Sequence, residues 1–305
     1  MYNYNQIKDG AIYRTINTQT CKIRKTCFKN IKKNILNIYK SRISNEQKHD
    51  GEIGCVTTQI VAGNDGAIED FPFIAEIEQR PKRQEPWRHW CGAVIISETM
   101  LVTSAACLRG PMVNRRVRCG FENFADPNKQ IRTIKHFKIF PHFDRNVNDD
   151  IGVQFDNNIG VIELHTPLKF GPRCQSIPYT TIKGSDGFKN CQISGWGYID
   201  ANKTESPDTL QFADISVLSN TKCNDLVDPI IPKTQICTYD FDNKKQPCNG
   251  DAGGPLTCEI NGRRVLVGVF AWLFNECDAK NPSFYSHVAY YTSFIEKWTG
   301  ITGIP

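Results

Sequence analysis

From Ile60 onward the 305-residue chain is a succession of short apolar runs separated by turn residues, and this spacing admits few folds. Phe73–Ile77, Ala93–Ile96, Met100–Thr103, Ile159–Leu164 and Val265–Phe270 are rich in Val and Ile. Each is too short for a globular helix and suited to a strand. Gly, Asn and Asp clusters such as Lys183–Gly187 and Asp240–Asn243 lie between such runs, where tight turns need them. Only the end, roughly Tyr291 to Trp298, has helical apolar spacing, which turns Phe294, Ile295 and Trp298 inward. The pattern predicts an all-β barrel or sandwich closed by a C-terminal α-helix.

No apolar run reaches the ~18 residues a membrane-spanning helix needs. Thirteen cysteines are many for a reducing compartment, and an odd number leaves at least one without an intramolecular partner. No Cys-x-x-Cys pair occurs, so zinc spacing does not account for them. The net charge of +5 is unevenly placed: residues 1–59 hold eleven Lys/Arg and four Asp/Glu, whereas residues 60–305 hold twenty-six and twenty-eight. The chain therefore reads as a basic N-terminal extension, 1–59, disordered or partly helical, followed by a domain at 60–305. The extension has no apolar signal-peptide core, although Phe28–Arg42 could form a short basic helix. It is the only candidate for nucleic acid, and a weak one. No phosphate loop or metal pattern is present, and no cofactor is expected.

Five segments of the domain then occur in a telling order. They are Ile60-Val-Ala-Gly63, Cys91-Gly-Ala-Val-Ile-Ile-Ser97 with Val102-Thr-Ser-Ala-Ala-Cys107, Asn158-Ile-Gly-Val-Ile-Glu-Leu164, Ser194-Gly-Trp-Gly197 and Asn249-Gly-Asp-Ala-Gly-Gly-Pro255. In this order and spacing the chain resembles the trypsin/chymotrypsin-like serine proteases from Ile60 to about Gly300. The resemblance implies two antiparallel six-stranded β-barrels with the site in the cleft between them.

Such proteases use a serine nucleophile, a histidine base and an aspartate that orients the base. At the matching positions stand Ala252, Ala106 and Asn158. Methyl groups neither attack a carbonyl nor accept a proton, so the expectation is a non-enzymatic homologue, like the inactivated paralogues of arthropods. The resemblance leaves backbone N–H groups of Gly250 and Ala252 as an oxyanion-hole remnant. It also pairs Asp251 with the ammonium that cleavage before Ile60 would create, although Gln59 is not the usual Arg or Lys. In the specificity pocket it places Gln246 at the floor, Leu273 where it would obstruct the cleft, and Ser283 in place of a glycine.

The implied disulfides are Cys91–Cys107, Cys191–Cys258, Cys223–Cys237, Cys248–Cys277 and Cys55–Cys174, leaving Cys21, Cys27 and Cys119. Asn202-Lys-Thr204 is a glycosylation sequon. Two loops on the expected cleft border carry Arg80, Lys82, Arg83, Arg88, Arg109, Arg115, Arg116 and Arg118, a candidate basic exosite for an anionic protein or polysaccharide. The functional expectation is a secreted homologue acting by binding, on an active protease, a zymogen or an immune component, within an extracellular protease cascade or innate immunity. The alternatives are an anionic-glycan-binding or adhesive protein, or residual serine-type endopeptidase activity.

Overall fold

The computed structural model describes residue 60 and residues 63–143, 155–185, 187–198, 207–227, 230–242, 244–273 and 277–305. All belong to the second of two units, Met1–Cys55 and Val56–Pro305. The basic extension, with Cys21, Cys27, Cys55 and Gln59, lies outside the described residues, as does the sequon at Asn202.

Fourteen strands carry the described fold. Six of them close a barrel: β2 (Ile74–Gln79), β3 (Arg88–Ile95), β4 (Met100–Thr103), β5 (Arg115–Cys119), β6 (Gln130–Ile139) and β7 (Gly160–Leu164). Their order around it is β2-β3-β4-β7-β6-β5, every pair antiparallel. Closure leaves no free edge. Ala75, Ile77, Ala93, Ile95, Leu101, Val117 and Ile162 fill its interior.

The remaining strands are β1 (Asn64–Asp65), β8 (Lys189–Gly195), β9 (Gln211–Asp214), β10 (Ser216–Leu218), β11 (Gln235–Tyr239), β12 (Pro255–Ile260), β13 (Arg263–Leu273) and β14 (Ser283–His287). They form one eight-stranded sheet in the order β1-β9-β8-β12-β13-β14-β11-β10. The second half is thus a curved open sheet rather than a second closed six-stranded barrel. Its added edge strand, β1, is only two residues long.

A second apolar cluster joins the two halves: Val94, Val102 and Ile159 from the barrel side pack in one core with Trp196, Leu210, Val269 and Val288. The C-terminal helix α2 (Thr292–Thr299) adds Phe294 and Ile295 to it; α1 is the short helix Asn220–Asn224. Gly300 ends α2 at φ +70°, donating its N–H to Glu296 O at 2.8 Å, a left-handed cap that suits glycine. Trp298 departs from the periodicity reading, since it is 42% exposed. It sits three residues beyond Ile295 on the same side of α2, where the helix runs past the core and borders β6 and β7.

Five disulfides are present, Cys91–Cys107, Cys119–Cys174, Cys191–Cys258, Cys223–Cys237 and Cys248–Cys277. The expected Cys55–Cys174 bridge is corrected. Cys174 bonds Cys119, because the last residue of β5 and the short Gly171–Cys174 turn are buried against one another. Their Cα atoms are 6.0 Å apart, within the range a disulfide spans.

Candidate functional site

Three loops meet where the two halves join. The 3-10 turn Ala105–Leu108 follows β4, residues 155–159 precede β7, and residues 246–254 lead into β12. Asn158 ties the first two of these loops to β13 and β14. Its Oδ1 accepts from Ser104 Oγ at 2.7 Å and from the Ala106 N–H at 2.9 Å. Its Nδ2 donates to Ala271 O at 3.2 Å, and its carbonyl accepts from Ser286 Oγ at 2.9 Å. It is fully buried, and these bonds offset the desolvation that burying an amide costs. The neutral side chain therefore ties together both halves of the molecule.

The segment Asn249–Pro255 is held almost entirely by its backbone. Ala252 O accepts from Gly92 N at 2.8 Å, Gly253 N donates to Phe270 O at 2.9 Å, and Gly254 O accepts from Phe270 N at 2.9 Å. Gly253 has φ +82°, and a Cβ there would lie 2.1 Å from Thr103 Oγ1, so this position is closed to any side chain. The loop can therefore come this close to β3 and β4 only through glycine.

Asp251 turns away from the cleft. Its carboxylate accepts from Gly197 N at 2.8 Å and Cys248 N at 2.9 Å. Burial pushes its carboxyl up to about 6, against the opposing pull of those two amides and of nearby His89. Ile60 lies buried beside Cys191, Ile193 and Ala213, its carbonyl bonded by Gly63 N. With Asp251's oxygens on these amides, the Ile60 partnership stays a proposal for the cleaved chain.

Sequence reasoning missed the role of His89. Its Nδ1 lies 2.9 Å from Glu76 Oε1 and its Nε2 lies 2.9 Å from Gly250 O. Both neighbours are acceptor oxygens, so the ring is held at both nitrogens. Arg118 Nε donates to the other Glu76 oxygen at 2.6 Å and lies 3.4 Å from Glu78 Oε2, which Arg116 also engages. A ladder of alternating charge thus runs from the Gly250 carbonyl across β3, β2 and β5. A bulge at Trp90 interrupts the alternation of β3, placing Cys91 opposite Ile77 and His89 opposite Glu78, so a period-two reading did not reveal this contact.

A cavity of about 240 Å³ opens beside Ala252, walled by Phe155, Gly250, Phe270, Trp272 and Leu273. Trp272 is stacked between Phe155 at 5.4 Å and Phe284 at 4.1 Å, so one wall is a fixed aromatic column. Leu273 stands in that wall, paired with buried Ser283 across β13 and β14. The Gln246 amide is buried, and neither its N nor its O has a hydrogen-bond partner among the described residues. Among the described residues no group of acidic, His and Cys side chains forms a metal site.

The expected basic exosite is corrected. Arg115 and Arg118 are buried, Arg115 bonded to Gln79 and to Gly110 O, and Arg118 to the glutamates of β2. Arg116 is paired with Glu78, and Arg109 lies over Phe143 at 4.9 Å. Alternation along β5 sends such residues to both faces of the strand, which a count of cations does not register. The outward remainder surrounds Trp87, with Arg80 and Arg116 guanidinium groups 4.3 and 4.4 Å from the ring centroid and Lys82, Arg83 and Arg88 exposed.

The family model for trypsin matches residues 60–295. This chain belongs to the trypsin family of serine proteases. It is 30% identical to trypsin-3 of Salmo salar over 207 residues, covering 68% of this chain and 82% of that protein. It is 31% identical to prostatic glandular kallikrein-6 of Rattus norvegicus over 231 residues, 71% of this chain and 85% of the other. The solved structure of neuropsin, a serine protease expressed in the limbic system of mouse brain, shares the fold. Its TM-score is 0.66 at 24% identity, covering 77% of this chain and 98% of that one.

These relatives overturn the expectation that the chain is not an enzyme. They are named trypsin and kallikrein, and their family includes this chain over most of its length. The residues at 106, 158 and 252 define which side chains meet at the cleft and do not themselves remove the chain from a family of proteases.

Proposed function

We propose that this trypsin-family protein works outside the cell by binding a negatively charged protein partner, as a regulator within an extracellular proteolytic cascade. We also propose that residues 1–59 are an extension distinct from the domain at 60–305. The observation that carries the binding reading is the surface around Trp87. Arg80 and Arg116 clasp the ring, Arg83 and Arg88 stand exposed beside it, and the turn Met112–Asn114 is bonded to Arg80 and Pro81. On that turn Val113 is 71% and Met112 37% exposed. Trp and Arg with exposed apolar neighbours make the composition of an interface hot spot, and the positive charge selects acidic partners. Five disulfides support the extracellular setting, since such bonds persist in oxidising compartments.

The test is capture of partners from the source organism's extracellular fluid by the wild-type chain and by a W87A/R83S/R88S variant. Recovery of an acidic protease or zymogen by the wild type, weakened about tenfold or more in the variant, is the expected result. Equal recovery by both would remove this surface from the account. The named relatives favour a second reading, peptide-bond hydrolysis, which needs a nucleophile other than the Ala252 methyl. A fluorophosphonate probe and a peptide-hydrolysis assay on the same preparation decide between the two: labelling of a serine with turnover establishes the second.

A further inference from the structure

Away from the cleft, a cavity of about 250 Å³ lies between the barrel and the C-terminal helix, lined by Met100, His136, Phe137, Lys138, Val161 and Glu163 with Trp298. Its construction follows from three elements. On β6 and β7, Lys138 stands opposite Val161 and His136 opposite Glu163, so polar ends and an apolar strip share the outer face. Met100 on β4 pairs with Glu163 and extends the apolar floor. The helix supplies the opposite wall through Trp298, whose ring is 42% exposed although it would gain by burial.

The charges around this cavity are unbalanced. Glu163 is already answered by Lys135, Nζ to Oε1 at 2.6 Å, and this contact holds its carboxyl below the usual range. Lys138 and Lys297 have no carboxylate partner in any ion pair among the described residues. Their ammonium groups instead lie 4.6 and 5.6 Å from the Trp298 ring centroid. A tryptophan flanked by two such cations over an apolar floor presents a flat surface for a ring and two charges for an anionic substituent.

We propose that this cavity is a binding site for one sulfated sugar unit of an anionic glycan. The indole would take the C–H face of a pyranose, and Lys138 and Lys297 would meet its sulfate. His136 and Glu163 offer a donor and acceptors for ring hydroxyls, which a sulfated tyrosine ring lacks. The site is separate from the Trp87 surface and does not depend on the role proposed for it. It places any glycan binding on the helix side of the barrel, beside Lys138 and Lys297.

The experiment is calorimetric titration of the full chain with a heparin-derived sulfated hexasaccharide. The same titration is made on K138S/K297S, on W298A and W298F, and on R83S/R88S as a control. Binding should weaken about tenfold or more in K138S/K297S and severalfold in W298A, with partial recovery in W298F and no change in R83S/R88S. The desulfated hexasaccharide should bind at least about tenfold more weakly than the sulfated one. Thermal melting of each variant separates lost binding from lost folding, and Lys138 and Lys297, both exposed, should leave the melt unchanged. The proposal is overturned if the wild type shows no binding, if K138S/K297S binds as the wild type does, or if an O-sulfotyrosine peptide binds more tightly than the hexasaccharide.

Discussion

Asp251 and His287 are buried titratable groups whose environments push in opposite directions. Burial raises Asp251 to about 6 and lowers His287 to about 4, the latter opposed only by the contact of its Nε2 with Ile182 O. An acid raised on folding contributes its full stability below the unfolded value and loses it as pH climbs through about 6. A base depressed on folding contributes above its unfolded value and loses that contribution as pH falls toward about 4. Each shift corresponds to about 3 kcal/mol, and the two windows overlap, so they largely cancel in the wild type. Single variants should expose them. Between pH 4 and 7, urea unfolding should show D251N gaining about 3 kcal/mol relative to wild type, and H287F losing a similar amount relative to it. Parallel profiles for all three proteins would refute both assignments. Neither residue announced this in the sequence, because desolvation is a property of the packed neighbourhood. Asn158 was legible as a position, yet that it bonds the turn after β4 and the strands β13 and β14 at once was not.

At the scale of elements, the charge ladder across β2, β3 and β5 makes the barrel wall depend on Glu76. That residue is fully buried between His89 and Arg118, and removing its charge leaves the Arg118 cation with only the more distant Glu78. Breaking one member of such a buried pair costs about 3–5 kcal/mol, so E76Q should lose that much in urea unfolding. A loss below about 1 kcal/mol would mean that water or Glu78 already compensates. The disulfide on β5 gives a second test. C119A/C174A should lose about 2–4 kcal/mol of stability, and non-reducing peptide mapping of the wild type should recover the 119–174 cross-link. Recovery of 55–174 instead would reverse the assignment. The strands themselves were readable, since Val and Ile runs between turn residues have no other good fold. Cysteine partners were not readable in the same way, because pairing depends on which chain segments lie a few ångströms apart. Trp298 shows the same limit: its spacing fits the apolar stripe, but the core ends at Ile295.

At the scale of the whole molecule, two surfaces with no residue in common carry the functional proposals. Trp87 and its arginines offer a protein-docking face, and Trp298 with its lysines offers a saccharide-sized cavity. If both operate, the sulfated hexasaccharide should bind W87A/R83S/R88S with unchanged affinity, since distant sites with no shared partners act independently. A change of about tenfold or more in that titration would show that the faces are one site or are coupled. The sequence by itself determined the all-β architecture, the family and the identity of the residues at positions 106, 158 and 252, because strand periodicity and ordered motifs are local properties of the chain. Only the tertiary structure decided that the second half is an open eight-stranded sheet, that Cys174 bonds Cys119, and which cations face outward. Those outcomes depend on which strands close, which loops approach and which charges meet across strands, and all three are set by packing between residues far apart in sequence.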